Sequence, residues 1–207
     1  MPYGYLGQNQ PNQTVSNSGV FSITDVAELQ SQGKLGGSLE LIEEQTASTS
    51  ATLDFTNLGN YDVHFMTFNN FQADTTSSAG AYGRLSNNGG SSYISTSNYQ
   101  RAFFRISTAG ATTEIRSTTE TEFDSFFSID SDYPSSQGYA YFYNLLNSSK
   151  YSFVTFQSWN SVTPWTYFGG FVLPVAETHN ALRIFPSVNN FLTGTAKLYG
   201  VKQIWVT

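Results

Sequence analysis

The sequence has no cysteine in its 207 residues. A disulfide framework, thiolate chemistry and zinc–thiolate coordination are therefore excluded. Charge is scarce as well, because Asp, Glu, Lys and Arg together make up only 12% of the chain. The surface must be covered largely by Ser, Thr, Asn, Gln and Tyr. This composition is more typical of proteins that work outside cells or in large assemblies than of intracellular enzymes.

Basic residues are few and scattered. The chain has nine Lys and Arg residues, none of them before Lys34, and a formal net charge of −6. Nucleic-acid binding needs clustered cations that displace counterions from phosphates, so this class of partner is excluded. Five acidic residues lie between Arg116 and Lys150 with no base among them, and we interpret them as a solvated acidic edge. They are Glu120, Glu122, Asp124, Asp130 and Asp132.

Long apolar runs are also missing. The first ten residues carry neither the basic segment nor the apolar segment of a secretory signal peptide. No stretch approaches the ~20 apolar residues of a membrane-spanning helix. The sequence therefore predicts a soluble protein that is not exported by the Sec route.

What the chain does have is alternation of large and small side chains at a period of two. The clearest case is Gly138 to Trp159, where a turn at residues 147–150 separates two alternating segments. This pattern predicts a β-hairpin. One face of the hairpin carries the larger rings, and we expect a second sheet to cover that face, because an isolated hairpin is marginal in water. The large rings are Tyr139, Tyr141, Tyr143, Tyr151, Phe153 and Trp159.

Further alternating segments with turn signals between them predict roughly ten strands. The segment from Tyr61 to Phe68 is partly apolar on both faces and should be a central strand. Asn88-Gly89 predicts a second hairpin, between residues 84–85 and 93–94. The predicted fold is all-β, an antiparallel two-sheet sandwich of jelly-roll-like type spanning residues 38–207. Residues 1–37 are predicted to form an extended attachment arm with one short helix.

The arm is rich in Gly, Pro, Gln and Asn and has no periodicity that could bury a face. Residues 22–33 then show the only helix signal, with Ser22 or Thr24 as the cap and Gly33 at the end. Such a short helix needs a partner surface. The apolar side chains of both segments are the predicted partner-binding residues, namely Tyr3, Tyr5, Leu6, Phe21, Val26 and Leu29.

Reactive constellations are weak in this sequence. His64 and His179 lack a local metal-ligand spacing, so a structural role is favoured for both. A Ser-His-Asp arrangement stays open, because such a site is defined by geometry, although no G-x-S-x-G motif is present. Asp124, Asp130 and Asp132 could collect Ca²⁺ or serve glycoside hydrolysis, and an acidic turn is the simpler interpretation. We therefore predict no enzymatic activity, no catalytic residue, no metal and no cofactor.

Aromatic residues crowd the segment around Pro164. Trp159, Trp165 and Tyr167 could stack on sugar rings if they are exposed, and core or subunit packing is the alternative. The alternative function is therefore that of a carbohydrate-binding module for host surface glycans.

A series of short motifs, taken in order, resembles a β-rich domain common among virion proteins of tailed phages of marine and freshwater bacteria, cyanophages included. The resemblance spans residues 39–202, and residues 18–33 are similar to a helix-bearing stretch of such appendage proteins. The motifs are Asp54-Phe55-Thr56, Tyr61-Asp62-Val63, Ser86-Asn-Asn-Gly-Gly-Ser-Ser-Tyr93, Tyr141-Phe-Tyr-Asn144, Ser148-Ser-Lys-Tyr151, Phe168-Gly-Gly170, Ala181-Leu-Arg-Ile184 and Gly194-Thr-Ala-Lys-Leu-Tyr-Gly-Val-Lys202.

The resemblance implies a non-enzymatic structural protein of a bacteriophage virion, made in the host cytoplasm. It leaves open a tail fibre, a receptor-binding tip for host attachment and a capsid decoration. The expected partners are other virion proteins, sister chains in a homotrimer by analogy with phage fibres, and a host glycan. Membrane insertion is not expected.

Overall fold

The structure is a computed structural model that describes residues 23–24, 27–28, 38–75, 79–131, 136–160 and 164–202. Within these ranges nearly all regular structure is β-strand. The strands are β1 (Leu39–Ser50), β2 (Leu53–Phe55), β3 (Val63–Ala73), β4 (Ala79–Ser86), β5 (Tyr99–Ser107), β6 (Thr112–Glu120), β7 (Phe123–Ile129), β8 (Ser136–Tyr143), β9 (Ser152–Asn160), β10 (Trp165–Leu173), β11 (Ala181–Pro186) and β12 (Phe191–Val201).

The strands form two antiparallel sheets. The larger has the order β1-β12-β3-β8-β9-β10-β5-β6, and the smaller has the order β2-β11-β4-β7. They pack in a sandwich-like arrangement, which confirms the predicted all-β two-sheet class; the finer jelly-roll assignment stays a prediction. The hairpin of β8 and β9 is confirmed by continuous pairing from Ser136 with Asn160 to Tyr143 with Phe153. The predicted central strand is β3, which lies between β12 and β8.

Phenylalanine rings from β7 fill the space between the sheets. Phe123, Phe126 and Phe127 are fully buried. Strict alternation cannot turn two successive side chains inward, but Ser125 has a φ of 64° and the pairing of β4 with β7 shifts register there. This irregularity is a β-bulge, which lets both Phe126 and Phe127 face the core. Phe126 contacts five rings, Phe68, Phe123, Phe142, Phe156 and Phe171, at centroid distances of 5.2–6.1 Å.

The hairpin expected at Asn88-Gly89 is wrong. Residues 87–98 are irregular, and β4 ends at Ser86. The Ser86 Oγ accepts hydrogen bonds from the N–H groups of Asn88 and Gly90 at 3.2 and 3.0 Å, which curls the chain away from a two-residue turn. The side chain of Ser86 thus competes with strand pairing for the backbone.

Two tyrosines complete this departure from a hairpin. The Tyr99 hydroxyl donates to Ile94 O at 3.1 Å and accepts from Leu85 N at 3.0 Å, so it occupies a donor of β4 that a returning strand would use. The guanidinium of Arg183, on β11, lies 4.1 Å from the Tyr93 ring centroid. The segment after the turn is therefore fixed by these side chains and by one backbone hydrogen bond, from Ile94 N to Leu85 O at 2.8 Å, rather than by a continuous ladder.

Strand β6 was not predicted, and the acidic edge near it is not simply solvated. β6 has one partly buried apolar residue, Ile115, so it lacks the alternation that marks a half-buried strand. Arg101 pairs with Glu120 at 3.0 Å and also with Asp124, while Arg84 pairs with Glu122 at 2.7 Å. The arginines come from β4 and β5, which are distant in sequence from the acids they neutralise.

The face of the β8–β9 hairpin that was expected to be covered is the outer one. The inner face carries Ala140, Phe142, Val154, Phe156 and Ser158, all buried. The larger rings point away from the second sheet, and Tyr139, Phe153 and Trp159 are exposed by 40–44% of their area. The expectation was wrong because both faces of the hairpin are apolar enough to be buried. The large phenylalanine rings of β7 pack against the face that has the smaller side chains.

Contacts divide the chain into residues 1–38 and residues 39–207. Most of the first unit, including the predicted arm, lies outside the described residues. Within the predicted helix, Ile23, Thr24, Ala27 and Glu28 are helical, and Ile23 is 91% exposed. No helix in the described part of the chain is both long enough and apolar enough to cross a membrane.

Candidate interaction surface

The outer face of the larger sheet carries an unusual set of side chains. On its five central strands, β3, β8, β9, β10 and β5, the outward positions within the described residues hold no Asp, Glu, Lys or Arg. We call this surface the aromatic face. Its rings and aliphatic groups are Val63, Phe65, Tyr139, Tyr141, Tyr143, Phe153, Trp159, Phe168, Val172, Phe104 and Ile106.

Tyrosines dominate the part built by β3 and β8. The Phe65 ring packs on Tyr141 at a centroid distance of 4.8 Å and on Tyr139 at 6.0 Å. The hydroxyls are used within the same face, because Tyr139 Oη donates to Gln157 Oε1 at 2.9 Å and Tyr143 Oη lies 3.2 Å from Thr155 Oγ1. These contacts hold the rings in fixed positions, so the surface is ordered before anything binds to it.

A ridge and a groove lie side by side on β9, β10 and β5. The ridge is the stacked pair Phe104 and Phe168, with centroids 6.0 Å apart and planes inclined by 25°. The floor of the groove is the adjacent row of small residues, Ala102, Thr155 and Gly170. Side chains of the neighbouring rows line the groove, which is open to solvent and has a volume of about 740 Å³; they include Tyr143, Phe153, Val172, Gln100 and Arg116.

Backbone packing explains why the floor contains a glycine. A Cβ on Gly170 would lie 2.7 Å from the carbonyl oxygen of Val154 on β9. β10 pairs through Gly169 and Gly170 without a break. The groove is therefore a consequence of how closely β10 approaches its neighbours.

Among the residues of this surface that the structure describes, the charged side chains lie at its two rims. On the β6 side, Arg116 lies 3.2 Å from Glu114, and these side chains are 81% and 54% exposed. On the β1 side, Lys197 pairs with Glu44 at 2.9 Å. An uncharged aromatic centre with a charged rim is the usual anatomy of a protein interface.

The three predicted glycan-stacking residues do not form one platform. Trp159 points outward on the aromatic face and is 44% exposed. Tyr167 points toward the other sheet, is buried, and packs on Phe103 with ring centroids 6.3 Å apart. Trp165 also points inward, where it is partly buried against the core, and the guanidinium of Arg105 lies 4.7 Å from its ring centroid. Only Trp159 is therefore placed for stacking on a ligand.

The predicted partner-binding residues Tyr3, Tyr5, Leu6, Phe21, Val26 and Leu29 all lie outside the described residues. Sequence reasoning missed the ridge and groove residues as a site. The signal that could have found them is the outward row of β5, where Ala102, Phe104 and Ile106 alternate with inward residues and carry no charge.

A serine, a histidine and a glutamate meet beside β9. The alternative left open by the sequence was a Ser-His-Asp arrangement, and here Glu177 takes the place of the aspartate. Ser152 Oγ lies 2.7 Å from His179 Nδ1, and His179 Nε2 lies 3.3 Å from Glu177 Oε1 without hydrogen-bond geometry. We assign the proton to Nε2, facing the carboxylate, so that Nδ1 accepts from the serine hydroxyl. Ser152 and His179 are both fully buried, so no substrate carbonyl can reach the hydroxyl. The group fastens the loop before β11 to β9.

His64 is likewise part of the core. Its Nε2 donates to the carbonyl oxygen of Leu58 at 2.7 Å, and its ring meets Tyr61 edge-on. Burial lowers the pKa of His64, and the hydrogen bond to Leu58 opposes this only in part. Burial also lowers the pKa of His179, against the opposing effect of Glu177.

These two histidines predict a loss of stability in mild acid. The unfolded chain takes up protons near pH ~6.5, whereas the folded chain resists them, so the free energy of unfolding falls as the pH drops below ~6.5. Each histidine contributes a slope of at most ~1.4 kcal/mol per pH unit. Urea unfolding between pH 7.5 and 5.5 measures this slope. The double variant His64→Gln/His179→Gln should be less stable at pH 7.5 but show a shallower slope; an equal slope would contradict the assignment.

Metal binding finds little support in the described part of the chain. No group of three or more His, Asp and Glu side chains there is arranged to hold an ion. Asp124 is the second residue of β7 and Asp130 directly follows the strand, so at ~3.3 Å per residue they lie ~20 Å apart and cannot share a Ca²⁺. Asp132 lies outside the described residues.

Comparison of this chain with known protein families, with curated proteins and with solved structures found no match.

Proposed function

We propose that this chain is a non-enzymatic structural protein of a bacteriophage virion, an appendage that works by association rather than by catalysis. The observation that carries the proposal is the aromatic face, a preordered and uncharged surface. Soluble proteins rarely expose such a surface unless it binds something. The motif resemblance supports the virion setting, and the burial of Ser152 and His179 supports the absence of hydrolytic chemistry.

Within this proposal the β-sandwich is the projecting or packing unit, and residues 1–34 attach it to the particle. Tail fibre, receptor-binding tip and capsid decoration are all consistent with this arrangement. Each of these three roles needs a surface that contacts other virion proteins or the host cell, and a rigid sandwich with few charges provides such a surface.

The test is localisation in purified particles of the phage that encodes this chain. We expect immunogold labelling and mass spectrometry to find the chain in the virion at a fixed copy number. Deleting residues 1–34 should leave a sandwich that melts cooperatively but is absent from particles. Absence of the full chain from particles would overturn the proposal, and incorporation of the truncated chain would overturn the role of the arm.

Glycan binding is the second candidate, favoured by the exposed ring of Phe153 in the groove lining and by that of Trp159 on the same face of the sheet. Aromatic rings stack on sugars, and Gln100, Thr155 and Arg116 would supply hydrogen bonds. A glycan-array signal that is lost in Phe153→Ala, but kept in Tyr151→Ala outside the groove lining, would favour this function over association between chains.

A further inference from the structure

The aromatic face has a shape and charge pattern that fits its own copy. Two adjacent rows of outward side chains cross the whole sheet. The ridge row is Glu44, Lys197, Thr67, Tyr139, Gln157, Phe168, Phe104 and Glu114. The groove row is Leu41, Tyr199, Phe65, Tyr141, Thr155, Gly170, Ala102 and Arg116.

We propose that this face binds a second copy of the chain, face to face, about a two-fold axis that lies in the interface and runs between the two rows. Such an axis exchanges the rows and keeps each strand opposite its own copy. Phe168 then lies over the partner's Gly170, and Phe104 over the partner's Ala102. Each ridge enters the groove of the other copy, as a self-complementary two-fold interface requires.

The same axis pairs opposite charges at the β6 rim. Glu114 belongs to the ridge row and Arg116 to the groove row of β6, so Glu114 of one copy faces Arg116 of the other, twice per dimer. The ridge and the groove define the axis without reference to these charges. The charge match is therefore a second and independent reason to choose it.

The area is also sufficient. Eight strands ~4.8 Å apart and four rows of side chains ~7 Å apart give the outer face ~1,000 Å². A specific interface buries ~800 Å² on each partner. Edge-to-edge pairing is a poor alternative, because the edge strands β1 and β6 carry Glu40, Glu43, Glu44, Glu114 and Arg116, and charged edge strands resist such pairing.

This inference rests on the proposed function, which assigns the face to association, but its test uses the isolated full-length protein. We expect light scattering after size exclusion to give a mass close to twice the 22.8 kDa of one chain. Phe168→Glu places an unpaired charge in the groove of the partner and should raise the dissociation constant at least ~100-fold. Val188→Glu is the matched control, because Val188 is also exposed, at 46% against 39% for Phe168, but lies between β11 and β12. It should leave the mass unchanged.

The rim pair gives a test of the axis itself. Glu114→Arg and Arg116→Glu each create like charges across the interface and should weaken the dimer several-fold, a usual effect for exposed pairs. An equimolar mixture of the two variants should regain dimers, because a mixed pair has opposite charges at both contacts.

Since the parent chain has no cysteine, Ala102→Cys and Phe104→Cys chains can also be mixed, and a short bis-maleimide should join unlike chains in preference to like ones.

Several outcomes would overturn the inference. They are a wild-type monomer at ~100 µM, well above the micromolar range of specific complexes, a mass of three chains, a mass that Phe168→Glu does not change, and failure of the mixed rim variants to pair. A monomer that binds a glycan through Phe153 would assign the groove to a sugar instead. Circular dichroism of each variant separates loss of association from loss of folding. None of these results bears on whether the chain is found in virions, so the two proposals fail separately.

Discussion

Phe126→Ala is expected to lower the free energy of unfolding by about 3–5 kcal/mol, the range for removing a buried phenylalanine. The value should lie in the upper half of this range, because Phe126 touches five other rings from four strands of the larger sheet and from β7 itself. The cavity left behind would be lined by rings that are tied into their own strands, so it cannot close by a small shift. Urea unfolding followed by tryptophan fluorescence measures the difference.

The matched control for this change is Phe153→Ala. Phe153 has the same side chain on β9, but it points outward and is 43% exposed. We expect its removal to cost less than about 1 kcal/mol when unfolding is measured on the monomeric chain, as surface substitutions usually do. Equal losses for Phe126→Ala and Phe153→Ala would contradict the assignment of the inner and outer faces, and with it the position of the aromatic face.

Gly169→Ala should have an effect of similar size through the backbone rather than through a cavity. Gly169 has a φ of 155°, and a Cβ there would lie 2.4 Å from Phe103 Cβ, 2.5 Å from Phe103 Cα and 2.6 Å from Ala102 O. Two of these atoms belong to the backbone of β5, which is held by β6 on its other side. We expect a loss of about 3 kcal/mol or more, because neither strand can move without breaking its ladder.

Gly110→Ala separates the cost of the backbone conformation from the cost of the steric clash, because it has only the first of the two. Gly110 has a φ of 83° in the turn between β5 and β6, and no other group lies within 4 Å of the position that an added methyl group would take. Its substitution should therefore cost only the ~1–2 kcal/mol of an unfavourable backbone conformation. Thermal unfolding of both variants gives the comparison. A loss for Gly169→Ala no larger than that for Gly110→Ala would show that β5 and β10 are not as closely apposed as described.

Local alternation was enough to find most of the strands but not the surfaces they form. Residues 61–68 predicted the central strand β3 because both of its faces carry apolar groups, and pairing with β12 and β8 confirms this. β6 was not predicted, because nearly all its residues are polar and no apolar residues recur at a period of two. It becomes a strand because it pairs with the free edge of β5. The turn at Asn88-Gly89 failed for a related reason. Tyr99 takes the N–H of Leu85 and Ser86 takes the N–H of Asn88, and one backbone bond of a hairpin remains, from Ile94 N to Leu85 O.

The candidate surface depended on information that no single segment contains. Which face of the β8–β9 hairpin is buried is decided by the three phenylalanines of β7. The ridge and the groove exist only because β9, β10 and β5 align Gln157, Phe168 and Phe104 in one row and Thr155, Gly170 and Ala102 in the next. The pairing of β10 with β5 in this register joins residues more than fifty positions apart, so it cannot be derived from spacing along the chain.

The first and last described strands of the sandwich are hydrogen-bonded neighbours, with Leu39 opposite Val201. Both ends of the domain therefore leave from one corner. Tension applied between them would open the β1–β12 ladder one hydrogen bond after another, beginning at Leu39 and Val201, instead of loading all the bonds together. A domain that is attached at one end of its chain only carries no force between Leu39 and Val201. It therefore keeps the β1–β12 ladder under a load that would unzip the ladder of a domain attached at both ends.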